Sequence, residues 1–169
     1  MQIVYFLVVF LLFGCRSKES KPLEVQWDKE KSIKLSHSVA VKEKLAIKMY
    51  IANRPSYKME ETGTGLNYYI YSKTTGPLAE AGREAGIHYK ISFLNGSKCY
   101  SMDSASTEFY KIDHSELETG LQEGLKKMRL GEKAILIIPS HLAHGLTGDQ
   151  SKILPFTPLV IDITLKELR

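Results

Sequence analysis

The stretch GLQEGLKKMRLGEK, residues 120–133, decides the fold. Leu121, Leu125 and Met128, with Leu117 just upstream, fall at i, i+4, i+8 and i+11 and form one apolar stripe. The spacing predicts a short helix over residues 115–128. Gly120 and Gly124 lie inside it, although a helical glycine costs about 1 kcal/mol relative to alanine. Their presence predicts a backbone pressed closely against a neighbour on that side. Just downstream, residues 132–139 are a near-continuous apolar run, and residues 158–165 are another; both read as strands.

Upstream, Thr62-Gly63-Thr64-Gly65 is a turn cluster that launches a Tyr- and Ile-rich strand over residues 66–72. Residues 74–86, with Gly and Pro, read as a loop, and residues 87–94 as the next strand. Asn95-Gly96 is a short-range hairpin signal, returning a strand over residues 98–102. Asn95-Gly96-Ser97 is also a glycosylation sequon, but the turn accounts for the same residues. Strands, one embedded helix and strands again imply an α+β domain, with the helix laid on an antiparallel sheet. Before it, Ser36 or Ser38 would cap a helix running to about Asn53 and stopped by Pro55. Its Val41, Leu45, Met49 and Ala52 repeat at helical spacing and are expected to pack on the domain that follows. A dimerising helix is the alternative.

The chain has 169 residues, a formal charge of +4, 43% hydrophobic and 25% charged residues, values ordinary for a globular protein. Acidic and basic residues interleave, so no footprint for nucleic acid is expected. Residues 3–13 form an uncharged apolar run ending at Gly14-Cys15. A bilayer-spanning helix needs roughly 20 apolar residues, so the run reads as the core of an export signal. Leu12-Phe13-Gly14-Cys15 resembles a bacterial lipobox, which implies lipidation of Cys15. An uncleaved anchor or an export signal without lipid is the alternative. With Cys15 acylated, Cys99 stands alone and no internal disulfide forms. The expected organisation is a signal over 1–14, a polar tether over 15–35, a helix and leading strand over 36–75, and the main domain over 76–169.

From Gly120 onward the offsets become specific. The helix and the turn after it lead into Ile138-Pro139-Ser140-His141-Leu142-Ala143-His144-Gly145. Gly148, Ile153, Pro155 and the closing Leu159-Val160-Ile161-Asp162-Ile163 follow. With Tyr89, Gly96 and Ser101 upstream, these positions resemble the FKBP-type peptidyl-prolyl isomerases. The resemblance implies an antiparallel sheet wrapped on a short helix, and catalysis of proline bond rotation without a cofactor. Together with the N-terminal signal, Arg54-Pro55 and residues 118–126, the chain is similar to the gliding-motility-associated isomerase lipoproteins of Gram-negative bacteria. That implies a lipid-anchored monomer facing the periplasm from the outer membrane, with proline-containing envelope polypeptides as partners.

Residue by residue, the resemblance puts the substrate pocket at Tyr89, Cys99, Tyr100, Phe109, Leu117, Leu121, His144, Ile153 and Ile161, with Phe109 needing a one-residue shift. Several positions depart from the family pattern. Cys99 and Ile161 stand where Phe is usual, Tyr100 where Asp is, Leu121 where Trp is, and His144 where a substrate-bonding Tyr is. Modest turnover is therefore expected, and the alternative is a non-catalytic chaperone or assembly factor. His141 and His144 lie three apart but follow a strand-ending proline with no Cys or carboxylate cluster nearby, so a metal site is not expected. No Gly-x-Ser-x-Gly elbow or phosphate-cradling loop is present.

Overall fold

The computed structural model of the chain describes residues 28–102, 107–114 and 117–169. The expected export signal, Cys15 and most of the expected tether lie outside the described residues, as do Ser115 and Glu116. Among the described residues, seven strands form one antiparallel sheet: β1 (Glu60–Glu61), β2 (Asn67–Ser72), β3 (Glu84–Phe93), β4 (Lys98–Ser101), β5 (Glu108–Lys111), β6 (Lys133–Ile138) and β7 (Leu159–Leu168). Their order is β1-β2-β6-β7-β3-β4, with β5 also pairing to β3.

Register fixes which side chains share a face. Leu136 pairs with Ile161, Ala134 with Ile163 and Ile138 with Leu159. These residues point to one side, into the main core with Leu121, Leu125 and Met128. Their neighbours Ile135, Ile137 and Val160 point to the other side and meet a second cluster around Ile47, Tyr50 and Ile51. The sheet centre is thus covered on both faces. That is why β6 and β7 read as continuous apolar runs and not as alternating ones.

The short helix is α2 (Thr119–Leu125), not the longer element expected from Ser115. Glu118 has an extended ψ of 137°, and its carbonyl takes the first helical N–H groups, from Leu121 and Gln122. Leu117 therefore precedes the helix. The segment is tied back by polar contacts: Gln122 Nε2 donates to the Leu117 carbonyl at 2.8 Å, and Lys126 Nζ meets both Asp113 oxygens at 2.8 Å. The close approach expected at the glycines is present. A Cβ at Gly120 would fall 2.3 Å from Ile138 Cγ2, and one at Gly124 would fall 2.5 Å from Leu136 Cδ1.

The N-terminal helix, α1, runs Lys29–Ala52 and starts earlier than Ser36 or Ser38, inside the expected tether. Asp28 is its N-cap, accepting the Glu30 N–H, whereas the Ser38 hydroxyl donates back to the Leu35 carbonyl within the helix. Lysines and a glutamate continue the helix without needing a core. The docking face also differs from expectation. Val41, Leu45 and Met49 are 55%, 58% and 58% exposed, while Ile47 is 5% exposed. Val39, Glu43, Ile47 and Ile51 repeat at the same four-residue spacing one face away, and they hold the polar anchor. Glu43 accepts from the Ser140 N–H at 2.5 Å and from its hydroxyl at 2.6 Å. Periodicity shows both stripes; the ion-dipole anchor selects between them.

One more boundary moved. Strand β3 begins at Glu84, within the expected loop, because Ala85 and Gly86 pair with β5 and β7. Gly86 acts as a packing site, since a Cβ there would meet Thr107, Phe109 and Glu167 side chains at 2.8–3.1 Å. The Asn95-Gly96 turn forms as expected, with Gly96 at φ 85° and the Asn95 carboxamide oxygen accepting from the Ser97 N–H and hydroxyl.

Candidate functional site

The start of α2, strands β3 and β4, and the loop between β6 and β7 converge on one side of the sheet. Leu121, Ile153 and Ile161 are 2%, 2% and 0% exposed, and Cys99 is 7% exposed. They form a packed apolar floor. Tyr89, Tyr100 and Leu117 are half-buried and pack against the same cluster. Phe109 is not gathered here: it is 36% exposed and stacks under the Arg169 guanidinium at 3.9 Å. Adjacent residues in a strand face opposite sides, so the β5 aromatic that turns inward is Tyr110. Sequence reasoning missed it by one position in a strand too short to show a period.

Two polar pairs border the floor. His144 Nε2 lies 3.0 Å from a Glu118 carboxylate oxygen, both side chains half-buried. Glu118 was not expected in the site; the signal for it was a carboxylate directly after Leu117 at the start of α2. In the second pair the Tyr100 hydroxyl donates to Asp149 Oδ2 at 2.5 Å. The other Asp149 oxygen accepts from the Ser151 and Ile153 N–H groups at 2.9 and 2.7 Å. The Tyr100 hydrogen bond, aided by those backbone donors, holds the Asp149 carboxyl down at about 2. The same bond to Asp149 pushes the Tyr100 phenol up. Lys152 Nζ sits 4.7 Å over the Tyr100 ring. Asp149 thereby folds the loop back and presses Ile153 into the floor.

The Tyr110 hydroxyl donates to Glu108, and Tyr89 and Tyr110 both pack against the core. Burial is the main cause that raises both phenols, so each stays a neutral donor at neutral pH. Burial likewise raises the Cys99 thiol, with Asp149 adding to it. A protonated, buried thiol is a small hydrophobe and not a nucleophile. His141 is turned away, with Nε2 3.1 Å from the Thr64 carbonyl oxygen.

Residues 76–166, more than half of the chain, match the profile of the FKBP-type peptidyl-prolyl cis-trans isomerases. The chain belongs to that family. FK506-binding protein 2 of Dictyostelium discoideum is 36% identical over 87 residues, covering 51% of this chain and 65% of that protein. FK506-binding protein 4 of the same organism is 28% identical over 112 residues, 66% of this chain and 30% of that protein. The chain thus spans less than two thirds of the length of these relatives. Among solved structures, a peptidyl-prolyl cis-trans isomerase from Pseudomonas syringae superposes with a TM-score of 0.65 at 25% identity, over 79% of this chain and 95% of that one. FkpA from Escherichia coli shares the fold at TM-score 0.68 and 23% identity, over 82% of this chain and 64% of that one. The FKBP-type domain of this chain carries an apolar floor of Leu121, Ile153, Ile161 and Cys99, bordered by the His144–Glu118 and Tyr100–Asp149 contacts.

Proposed function

We propose that this chain is a peptidyl-prolyl cis-trans isomerase of modest turnover that acts on proline bonds of envelope polypeptides. The observation that carries the reading is the apolar floor of Leu121, Ile153 and Ile161, bordered by half-buried Tyr89, Tyr100 and Leu117 in a chain of this family. Rotation about an X-Pro bond loses amide resonance against a barrier of about 18–20 kcal/mol. No nucleophile or metal is required. An apolar surface favours the twisted, less polar amide over the planar one, and oriented donors that fit the twisted carbonyl add to that preference.

Two features support the modest rate. The floor is already packed, so a proline ring rests on it and does not sink below the border. His144 is engaged by Glu118 and must leave that partner to donate to a substrate carbonyl. The same two features favour the second reading, a chaperone or assembly factor that holds proline segments without turning them over. A peptide isomerisation assay decides between them. Acceleration above the uncatalysed rate supports catalysis; no acceleration with retained binding to an unfolded client supports the second reading.

The setting we propose is the periplasmic side of a Gram-negative outer membrane, with lipid on Cys15, as in the gliding-motility-associated isomerase lipoproteins. The apolar run over residues 3–13 and the Leu12-Phe13-Gly14-Cys15 sequence support it. Metabolic labelling with a fatty acid should mark the chain and not a Cys15→Ala variant, and label retained on the variant would refute the anchor at Cys15.

A further inference from the structure

Helix α1 leaves one long side bare. Val39, Glu43, Ile47, Tyr50 and Ile51 turn toward the domain, while Val41, Leu45 and Met49 recur every four residues on the opposite side, each more than half exposed. The helix is 24 residues long, about 36 Å at 1.5 Å per residue. At 100° per residue, Lys48 borders this stripe on one flank, Lys31 and Lys42 on the other, and Lys34 continues its line toward the N-terminus, while Lys44 turns toward the domain, 4.0 Å from Glu61. The helix carries six lysines and two glutamates. One of those glutamates, Glu43, is spent on Ser140 at the domain. Residues 28–38 are exposed on every side, so this half of the helix meets no part of the described domain that would keep a flat surface away.

We propose that this side of α1 lies along an anionic lipid surface. Apolar side chains on one face flanked by lysines match an interfacial helix, whose apolar residues enter the headgroup boundary while lysine stems reach outward to the lipid charges. Charge decides against a second copy of the chain. Pairing two such faces would set lysine rows against each other, with Glu30 the one acidic residue of α1 outside the domain-facing side. Phosphate headgroups supply the missing negative charge. The inference goes beyond the isomerase reading and does not require acylation of Cys15.

The test is partition of the full chain onto vesicles of phosphatidylcholine alone and of phosphatidylcholine mixed with phosphatidylglycerol. Binding to the neutral vesicles reports the N-terminal apolar run or its lipid; the additional binding to the anionic ones reports α1. With Lys34→Gln, Lys42→Gln and Lys48→Gln combined, the anionic increment should fall about a hundredfold at low salt, with neutral binding unchanged. Raising salt should also shrink the wild-type increment, a readout that needs no variant. Equal partition onto both vesicle types, a salt-independent increment, or an increment that survives the triple substitution overturns the proposal. So does a lipid-free dimer in sedimentation velocity that Leu45→Gln dissolves, which would make the face a self-association surface.

Discussion

Asp149 holds its loop through three donors and His144 through the single partner Glu118, and their substitutions separate structure from chemistry. The Asp149 carboxyl sits at about 2 because Tyr100, Ser151 and Ile153 donate to its ionised form. A carboxyl lowered in the folded state stabilises fully above its ordinary value near 3.8, and that contribution disappears as pH falls toward about 2. Asp149→Ala should therefore be destabilised at pH 7, and the gap to wild type should close between pH 4 and pH 2 in denaturant melts. A gap constant across that range would show that the charge is not what holds the loop. His144→Phe removes a donor beside the floor and frees Glu118. A net hydrogen bond of about 0.5–1.5 kcal/mol corresponds to roughly a 2- to 13-fold loss in kcat/KM on a proline peptide, with the melting curve little changed. Unchanged turnover would take His144 out of the site.

At the scale of elements, Gly124→Ala sets two effects against each other. Alanine favours the helix by about 1 kcal/mol, yet its Cβ would sit 2.5 Å from Leu136 Cδ1 and 3.0 Å from Cδ2. Overpacking of this kind costs about 1–3 kcal/mol, and Leu136 is itself fully buried, so a net loss of stability is expected in a urea titration. A stabilised variant would mean that α2 can lift from β6. The glycines show where the sequence was legible: a helix that tolerates them at four-residue spacing has a reason in contact, and β6 supplies it. The apolar runs of β6 and β7 were equally readable, since two buried faces leave no alternation. Strand β5 was not, because four residues reading Glu-Phe-Tyr-Lys carry no period, and the inward aromatic fell one position from Phe109. In α1 the period was present twice. Only Glu43 reaching Ser140, a partner 97 residues away, says which stripe docks, and such a long-range contact leaves no local mark.

Across the whole molecule, the sheet is covered unequally. On one face α2 and the long core cluster close the domain; on the other, the C-terminal half of α1 is seated, through Ile47 against Ile137 and Val160, with Met59 and Leu94 beside them. Ile47→Ala should cost about 2–5 kcal/mol of docking, and the loss should be local. Hydrogen exchange should rise in α1 while β6 and β7 keep their protection, because helix and sheet form separately stable layers. Equal loss of protection in both would mean that α1 is integral to the fold.

Strand β7 lies between β6 and β3 and pairs along its length with both. Of the seven strands it is also the one synthesised latest. Until it emerges, β1, β2 and β6 on one side and β3, β4 and β5 on the other share no edge, and the nascent chain holds two half-sheets with open flanks. Joining them requires pairings between residues far apart in sequence, of the kind that closes slowly. The sheet therefore cannot close until β7 arrives, and its folding is timed by that one strand.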